Sequence, residues 1–171
     1  MSSQVMKLSE LGKAKHFELT AEMQRAIEHE VAHYPDSKAA SIEALKIVQK
    51  HHGYVPDGAY EPVAKLIGMS AAELFGVATF YSLIFKHPVG KHVIKLCDSL
   101  SCYLTGYEDV KKAFEGKLGI GFGQTTKDNR FTLLPICCLG ACDKGPVLMI
   151  DDDTHGNVTP QSIEKLLEKY A

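Results

Sequence analysis

The sequence has little net charge and no long apolar run, and each absence excludes a class of protein. The 171 residues carry a formal net charge of only -2, with Lys and Arg scattered among Asp and Glu. Because no basic stripe is present to neutralise phosphates, we expect no nucleic-acid partner. The longest apolar stretch, around Leu74 to Phe85, is too short and too interrupted to span a bilayer. We therefore expect no direct membrane insertion.

Targeting and nucleotide-binding motifs are also missing. The first residues, Met-Ser-Ser-Gln-Val-Met-Lys, lack the apolar core of a signal peptide, which indicates a cytoplasmic location. No P-loop is present, and the glycines of 119–123 follow a predicted helix without the spacing of a dinucleotide fingerprint. A site for a nicotinamide or a flavin is therefore not expected on this chain.

The first half of the chain predicts helices. They are expected from Thr20 to Tyr34, from Asp36 or Ser37 to Gly53, from Tyr60 to Ile67, and from Ala71 onward. Ser70 and Glu73 form the pattern of a capping box at the last of these, whereas residues 78–85 could stay helical or become extended. Pro88 and Gly90 mark a boundary. We expect a flexible arm over residues 1–17, a helical domain over 18–88 and a second domain over 89–171.

The second half predicts alternating strands and helices. Strands are expected at 92–96, 131–136 and 147–150, helices at 106–118 and after Thr159, and a turn at 153–157. The eight histidines show no metal-binding spacing and are expected at the surface. The pattern predicts an α+β fold, in which an N-terminal helical bundle precedes an α/β domain.

Two short loops in the second half each carry a pair of cysteines after a predicted strand. They are Cys97-Asp-Ser-Leu-Ser-Cys102 and Cys138-Leu-Gly-Ala-Cys142. In a reducing compartment these thiols favour metal ligation over disulfides. Each loop can turn two sulfurs toward one centre, so the four cysteines predict a metal site. Cys137, at the end of an apolar strand, is expected to be a small buried hydrophobic residue instead.

Zinc and a 2Fe-2S cluster both accept four thiolates. Zinc knuckles more often use two-residue spacers, whereas the longer spacers here leave room for a bridged cluster, which needs two cysteines per iron. Small and polar residues around both pairs can turn backbone N–H groups toward cluster sulfurs. The spacing favours iron and sulfur and leaves zinc open. A thiol redox enzyme has less support, since no Cys-x-x-Cys motif is present.

Further motifs accompany the cysteines. Cys-Leu-Gly-x-Cys is followed by Asp-Lys-Gly-Pro, and the first half contains Gly53-Tyr-Val-Pro56 and Gly76-Val-Ala-Thr-Phe-Tyr81. With these motifs the chain, from about Phe17 to its end, resembles the small thioredoxin-like 2Fe-2S subunits, the E subunits, of bacterial NADH:quinone oxidoreductase, complex I. The resemblance implies a thioredoxin-like second domain. It also implies one 2Fe-2S cluster ligated by Cys97, Cys102, Cys138 and Cys142, with Cys137 outside the ligand set.

The resemblance further implies an electron-transfer subunit without catalytic residues of its own. Its cluster would exchange single electrons with the FMN of a partner subunit that binds NADH, beside further subunits of the peripheral arm. The complex would hold the chain at the cytoplasmic face of the inner membrane. Two alternatives stay open: the equivalent diaphorase subunit of an NAD-linked hydrogenase or formate dehydrogenase, and a zinc-stabilised thioredoxin-like binding module.

Overall fold

A computed structural model describes residues 17–170, and the contacts within the chain divide it into two compact units between Pro88 and Val89. The predicted arm over residues 1–17 lies outside the described residues except for Phe17, whose side chain packs partly buried against the helical core. The two units differ in secondary structure. Of the residues described, helices alone form the first unit, and strands and helices together form the second.

Within residues 17–88, the apolar sides of four α-helices form one core. The helices are α1 (Ala21–Val31), α2 (Ser41–His52), α3 (Tyr60–Ile67) and α4 (Ala71–Phe80). Local chemistry sets their ends as predicted. The Thr20 hydroxyl accepts the N–H of Met23 at 3.2 Å, and Ser70 and Glu73 form the expected capping box before α4. Fully buried side chains of the core include Met23, Ile27, Leu45, Ile67 and Leu74.

The segment after α4 is partly helical and partly extended. The helix continues to Phe80, Tyr81 adopts an extended conformation, and Ile84 returns to the core. The side chain of Gln49 fastens this return, because it accepts the N–H of Phe85 at 2.6 Å and donates to the carbonyl of Leu83 at 3.0 Å. No single described helix is long and apolar enough to cross a membrane. The two segments Asp57–Ile67 and Ala71–Phe80 reach the required length and apolar composition only when they are taken together, and the chain bends by 113° between them.

The second unit is a five-stranded sheet with helices. Its elements are β1 (His92–Cys97), α5 (Leu100–Leu104), α6 (Tyr107–Leu118), β2 (Gln124–Thr125), β3 (Phe131–Ile136), β4 (Leu148–Ile150), β5 (Asp153–His155) and α7 (Ile163–Glu168). The strand order is β2-β3-β1-β4-β5, in which β1 and β3 are parallel and the other pairs antiparallel. Side chains of α6 and α7 share one buried core with β1, β3 and β4. The predicted fold class is confirmed.

Two local predictions in this unit are wrong. Residues 153–155 form β5 rather than part of a turn, because the chain already reverses at Asp151, which has a positive φ of 52°, and β5 then pairs with β4. The first cysteine segment is not a loop throughout. Its second half forms α5, a helix of five residues that is too short for a periodic sequence pattern to reveal.

The prediction of surface roles is wrong for two histidines. His92 Nδ1 lies 2.6 Å from the Asp151 carboxylate in a half-buried pair, and His155 Nε2 lies 2.8 Å from the Tyr170 hydroxyl. The Tyr170 hydroxyl in turn donates to Asp153 at 2.8 Å. Burial and the neighbouring Asp153 raise the pKa of Tyr170 to about 12. The Tyr170 hydroxyl is therefore protonated at neutral pH and can donate this hydrogen bond. This network fastens the last turn of the chain to β5.

Candidate metal centre

The first two predicted ligands lie on regular secondary structure. Cys97 is the last residue of β1, and Cys102 lies in α5. Each residue is only 2% exposed. The backbone at Ser99 is extended and starts α5 directly after the strand, which turns the Cys102 side chain back into the core of the unit. The fold therefore holds this pair inside the protein.

The second two predicted ligands lie on an exposed segment. Cys138 Sγ and Cys142 Sγ are 3.4 Å apart, and the Gly140 N–H donates to Cys138 Sγ at 3.4 Å. Gly140 has a positive φ of 82°, which glycine adopts without the strain that a Cβ would add. Cys137 is exposed as well, so the prediction that it is buried is wrong. The strand ends at Ile136, and Cys137 lies beyond the last rung of the sheet.

Parallel pairing of β1 with β3 brings the two cysteine segments together. Cys97 stands opposite Ile136 in the register, so both segments leave the sheet at the same edge. The Asp98 N–H extends this pairing by donating to the Ile136 carbonyl at 3.1 Å. Gly145 then packs closely on the other segment, since a Cβ there would lie 2.6 Å from the Thr105 hydroxyl and 3.6 Å from Cys102 Cα.

Hydrogen-bond donors surround the Cys97 sulfur. Burial opposes its ionisation, yet the backbone N–H groups of Ser99 and Leu139, with the Cys102 thiol and the Ser99 hydroxyl, outweigh burial and lower the pKa of Cys97. The Leu139 N–H belongs to the second cysteine segment. The site is thus arranged to stabilise a thiolate at Cys97 with donors from both segments, and a thiolate is the form that binds metal.

The Cys102 and Cys142 thiols experience the opposite balance. Burial, and then the hydrogen bond with Cys97, raise the pKa of Cys102, while the Val147 N–H acts against both. The hydrogen bond with Cys138 and the charge of that neighbour raise the pKa of Cys142, against the Ser101 hydroxyl. Closely spaced thiols cannot all ionise unless a cation offsets their charges. The arrangement therefore favours ionisation of Cys102 and Cys142 only together with metal binding.

The predicted ligands come together as two pairs. Cys97 interacts with Cys102, and Cys138 with Cys142, while the charge of Cys142 raises the pKa of Cys102 and the charge of Cys97 raises the pKa of Cys142. Among residues 17–170, no three His, Cys, Asp or Glu side chains are arranged around a single metal position. Two pairs of thiols on neighbouring segments match the two cysteines per iron that a 2Fe-2S cluster needs.

Sequence reasoning found some of the donors around the sulfurs and missed others. The small and polar residues near the cysteines predicted backbone donors, and Ser99 and Gly140 are among them. Val147, whose N–H points to Cys102, was missed because it enters the site from the start of a different strand segment. No pattern in the local sequence marks Val147.

A separate open cleft of about 700 Å³ in the same unit contains no cysteine. Its lining includes Lys117, Asp128, Arg130 and Glu164, so both signs of charge are present, and Lys117 is already paired with Glu164. The predicted ligands therefore lie outside this cleft.

Comparison with known proteins identifies the family. The family model described as thioredoxin-like [2Fe-2S] ferredoxin matches residues 27–171. The E subunit of the NADH-quinone oxidoreductase from Pseudomonas aeruginosa is 56% identical over 165 residues, which cover 96% of this chain and 99% of that protein. Its namesake from Escherichia coli (strain K12) is 60% identical over 154 residues, which cover 90% and 93%.

A solved structure shares the fold. An NAD+-reducing [NiFe]-hydrogenase in the H2-reduced state superposes with a TM-score of 0.65 at 20% identity, over 77% of this chain and 22% of the longer hydrogenase chain. At this identity the likeness concerns the fold alone. The match over residues 27–171, together with relatives similar along nearly their whole length, shows that this chain belongs to the thioredoxin-like [2Fe-2S] ferredoxin family.

Proposed function

We propose that this chain is the electron-transferring E subunit of an NADH:quinone oxidoreductase. The observation that carries the proposal is the 56% and 60% identity to proteins of that name, over nearly the full length of both partners in each comparison. The alternative of a hydrogenase diaphorase subunit is supported only by a likeness of fold at 20% identity. The respiratory complex is therefore the better supported setting.

In this proposal the four cysteines hold one 2Fe-2S cluster, with one pair on each iron. Cys97 and Cys102 would bind one iron, and Cys138 and Cys142 the other, because each pair already lies within thiol–thiol contact. The cluster supplies a site that gains or loses one electron at a time. Around it the N–H groups of Ser99, Leu139, Gly140 and Val147 would offset the negative charge of the thiolates.

The partner in this proposal is a flavoprotein subunit that binds NADH and FMN. The chain lacks the nucleotide-binding motifs that either cofactor needs, so both are assigned to the partner. Further subunits of the peripheral arm would hold the chain at the cytoplasmic face of the inner membrane, where NADH is available. Fractionation of cells with a tagged full-length chain tests this location, since the chain should sediment with membranes only while the other subunits are present.

We also propose that the chain has two domains with different roles, and that the boundary between them in the sequence lies between residues 88 and 89. The domain of residues 89–171 would bind the cluster, since all five cysteines lie in it. The helical domain of residues 18–88 would then contact other subunits, since Phe75, Phe80, Tyr81 and Leu83 are exposed there. The distinct cores of the two units support this assignment.

Metal analysis and reduction by NADH test the proposed function. The purified full-length chain should be brown and contain about two irons and two sulfides. NADH should bleach its visible absorption only after the flavoprotein subunit is added. A colourless chain with one zinc would overturn the proposal in favour of a zinc-stabilised binding module. An iron–sulfur chain that NADH cannot reduce beside the flavoprotein would also contradict it.

A further inference from the structure

The short helix α5 has two chemically different sides. Cys102 on its inner side is 2% exposed, whereas Leu100, Tyr103 and Leu104 are 73%, 55% and 74% exposed. These are the large exposed hydrophobic side chains of the α/β unit among the described residues. Three such side chains on a helix of five residues form an apolar patch, and a clustered patch of this kind is typical of an interaction surface.

The core of the unit does not account for this patch. Leu100, Tyr103 and Leu104 are absent from the described residues that form its hydrophobic core or pack against it. Tyr103 makes a tilted ring contact with Tyr107 at 6.2 Å, but more than half of Tyr103 stays exposed. Because exposure of apolar area to water is unfavourable, the patch is better explained by a partner than by the stability of the unit.

The patch is continuous with the proposed cluster site. Cys102 lies on the same helix, and the Ser101 hydroxyl, between Leu100 and Cys102, interacts with the Cys142 thiol. Cys138 and Cys142 are themselves exposed. A partner that covered the patch would therefore also cover the exposed edge of the site, excluding water and approaching the cluster closely.

Acidic residues border the patch. No charged residue lies within α5, while Asp98 precedes it and Glu108 follows it. Both carboxylates act on Tyr107: burial first, and then Asp98 and Glu108, raise the pKa of that phenol. Since Tyr107 contacts Tyr103, these negative charges lie beside the apolar patch. A complementary surface would have an apolar centre and a basic rim.

We propose that Leu100, Tyr103 and Leu104 are the docking surface through which this chain binds the flavin-bearing subunit, and that the surface covering them is apolar with basic residues at its edge. The inference rests on the proposed function, because only an electron-exchange partner has to approach the cluster end of the unit. Burial of the patch supplies the affinity, and the acidic border sets the orientation.

Affinity measurements with substituted full-length chains test the docking surface. The double variant Leu100→Ser/Leu104→Ser removes most of the exposed apolar surface of α5 without touching a cysteine. The matched control is Tyr34→Ser, which changes a large side chain of the helical unit that is 38% exposed. Binding to the isolated flavoprotein subunit is measured without NADH, so that affinity is recorded separately from electron transfer.

The double variant should bind the flavoprotein at least about tenfold more weakly, mainly through faster dissociation, while its cluster absorption and EPR signal match those of the unchanged chain. The control should lose less than about threefold. An unchanged affinity in the double variant, or an equal loss in the control, would overturn the docking surface. If the unchanged chain neither binds the flavoprotein nor is reduced through it, the proposed function itself fails, and the docking surface fails with it.

Discussion

The first cysteine segment, Cys97 to Cys102, is built from a strand end and a helix, whereas the second, Cys138 to Cys142, has regular structure only at its last residue. Both cysteines of the first segment are buried, and both of the second are exposed. The difference teaches how a metal site can be assembled. One half is formed by the core of the unit, and the other half is held against it by neighbouring backbone.

The second segment depends on contacts with other parts of the chain. The Asn157 N–H donates to the Lys144 carbonyl at 2.6 Å, and Gly156 packs so closely that a Cβ there would lie 2.6 Å from Lys144 Cβ. Gly145 packs in the same way against Thr105. Residues that follow β5 and α5 therefore contact the chain directly after the second segment, at Lys144 and Gly145.

The largest effect should come from replacing the predicted ligands. Serine at any of Cys97, Cys102, Cys138 or Cys142 should abolish the visible absorption and the EPR signal, because one iron would then lack one of its two thiolates. Cys137→Ser is the control and should keep both. Absorption and EPR spectra of the purified chains measure this, and a normal signal in Cys138→Ser would refute its assignment as a ligand.

The same substitutions distinguish the two segments in the metal-free chain. Cys102→Ser buries a hydroxyl in an apolar core and should lower the free energy of unfolding by about 1–3 kcal/mol. Cys142→Ser alters an exposed side chain and should change it by less than about 0.5 kcal/mol. Urea unfolding of the metal-free chains measures both, and equal losses would show that the two segments do not differ in the way described.

A single methyl group at Gly156 should disturb the second segment. Gly156→Ala places a Cβ against the Cβ and the carbonyl oxygen of Lys144, and the required shift should cost about 1–3 kcal/mol and lower the iron retained per chain. The matched control is Gly116→Ala in α6, where a Cβ meets nothing within 4 Å. That change should stabilise the unit by about 0.5–1 kcal/mol.

Urea unfolding and iron analysis of the two alanine variants measure these effects. Equal stability and equal iron content in Gly156→Ala and the unchanged chain would mean that the second segment does not depend on its packing against Gly156.

Removal of iron should loosen the second segment more than the first. We expect chelation to speed amide hydrogen exchange at residues 137–144 by about tenfold or more, because exposed backbone there has few partners in the sheet. Residues 92–104 should change by less than about threefold, since β1 is paired on both sides. Mass spectrometry of hydrogen exchange with and without chelator compares the two segments. Equal acceleration in both would contradict the proposed difference between them.

The smallest effect should come from the pH dependence of the hairpin that supports the second segment. Burial, and then the charge of Lys169, lower the pKa of His155 from its ordinary value of 6.5, with Asp153 acting in the opposite direction. Because the unfolded chain binds this proton more readily, the contribution of His155 is complete above pH 6.5 and is lost as the pH falls through its lower value in the folded state.

In the His155→Gln variant, the free energy of unfolding should therefore decrease less between neutral and mildly acidic pH than it does in the unchanged chain. The glutamine keeps a polar group near the Tyr170 hydroxyl but binds no proton in this range. Urea unfolding at a series of pH values compares the two chains. Parallel curves would show that His155 makes no contribution to the pH dependence of the hairpin.

Sequence patterns predicted well where the decisive contacts are local. The capping box of Ser70 and Glu73 joins residues three apart, and Gly53 ends α2 with a positive φ of 78°. The strands at 131–136 and near 92 were found from apolar runs, which their burial explains. The fold class followed from the same patterns, because each element carries its own periodicity.

Predictions failed where contacts between residues far apart in the sequence determine the local structure. β5 exists because β4 is its partner, and His155 is half-buried because Tyr170 returns from the end of the chain. Cys137 was expected inside on the basis of the apolar strand before it, yet the sheet ends one residue earlier. The helix α5 was missed because five residues show too little periodicity for a prediction.

The sequence by itself determined the kinds of side chain available: four paired cysteines, small residues that allow close turns, and no charge within the apolar run of α5. Only the tertiary structure decided which cysteines are buried and which N–H groups face them. It also left Leu100, Tyr103 and Leu104 exposed beside the site. The physical reason is that burial and hydrogen bonding at this edge depend on the parallel pairing of β1 with β3, a contact between segments about forty residues apart that no local pattern encodes.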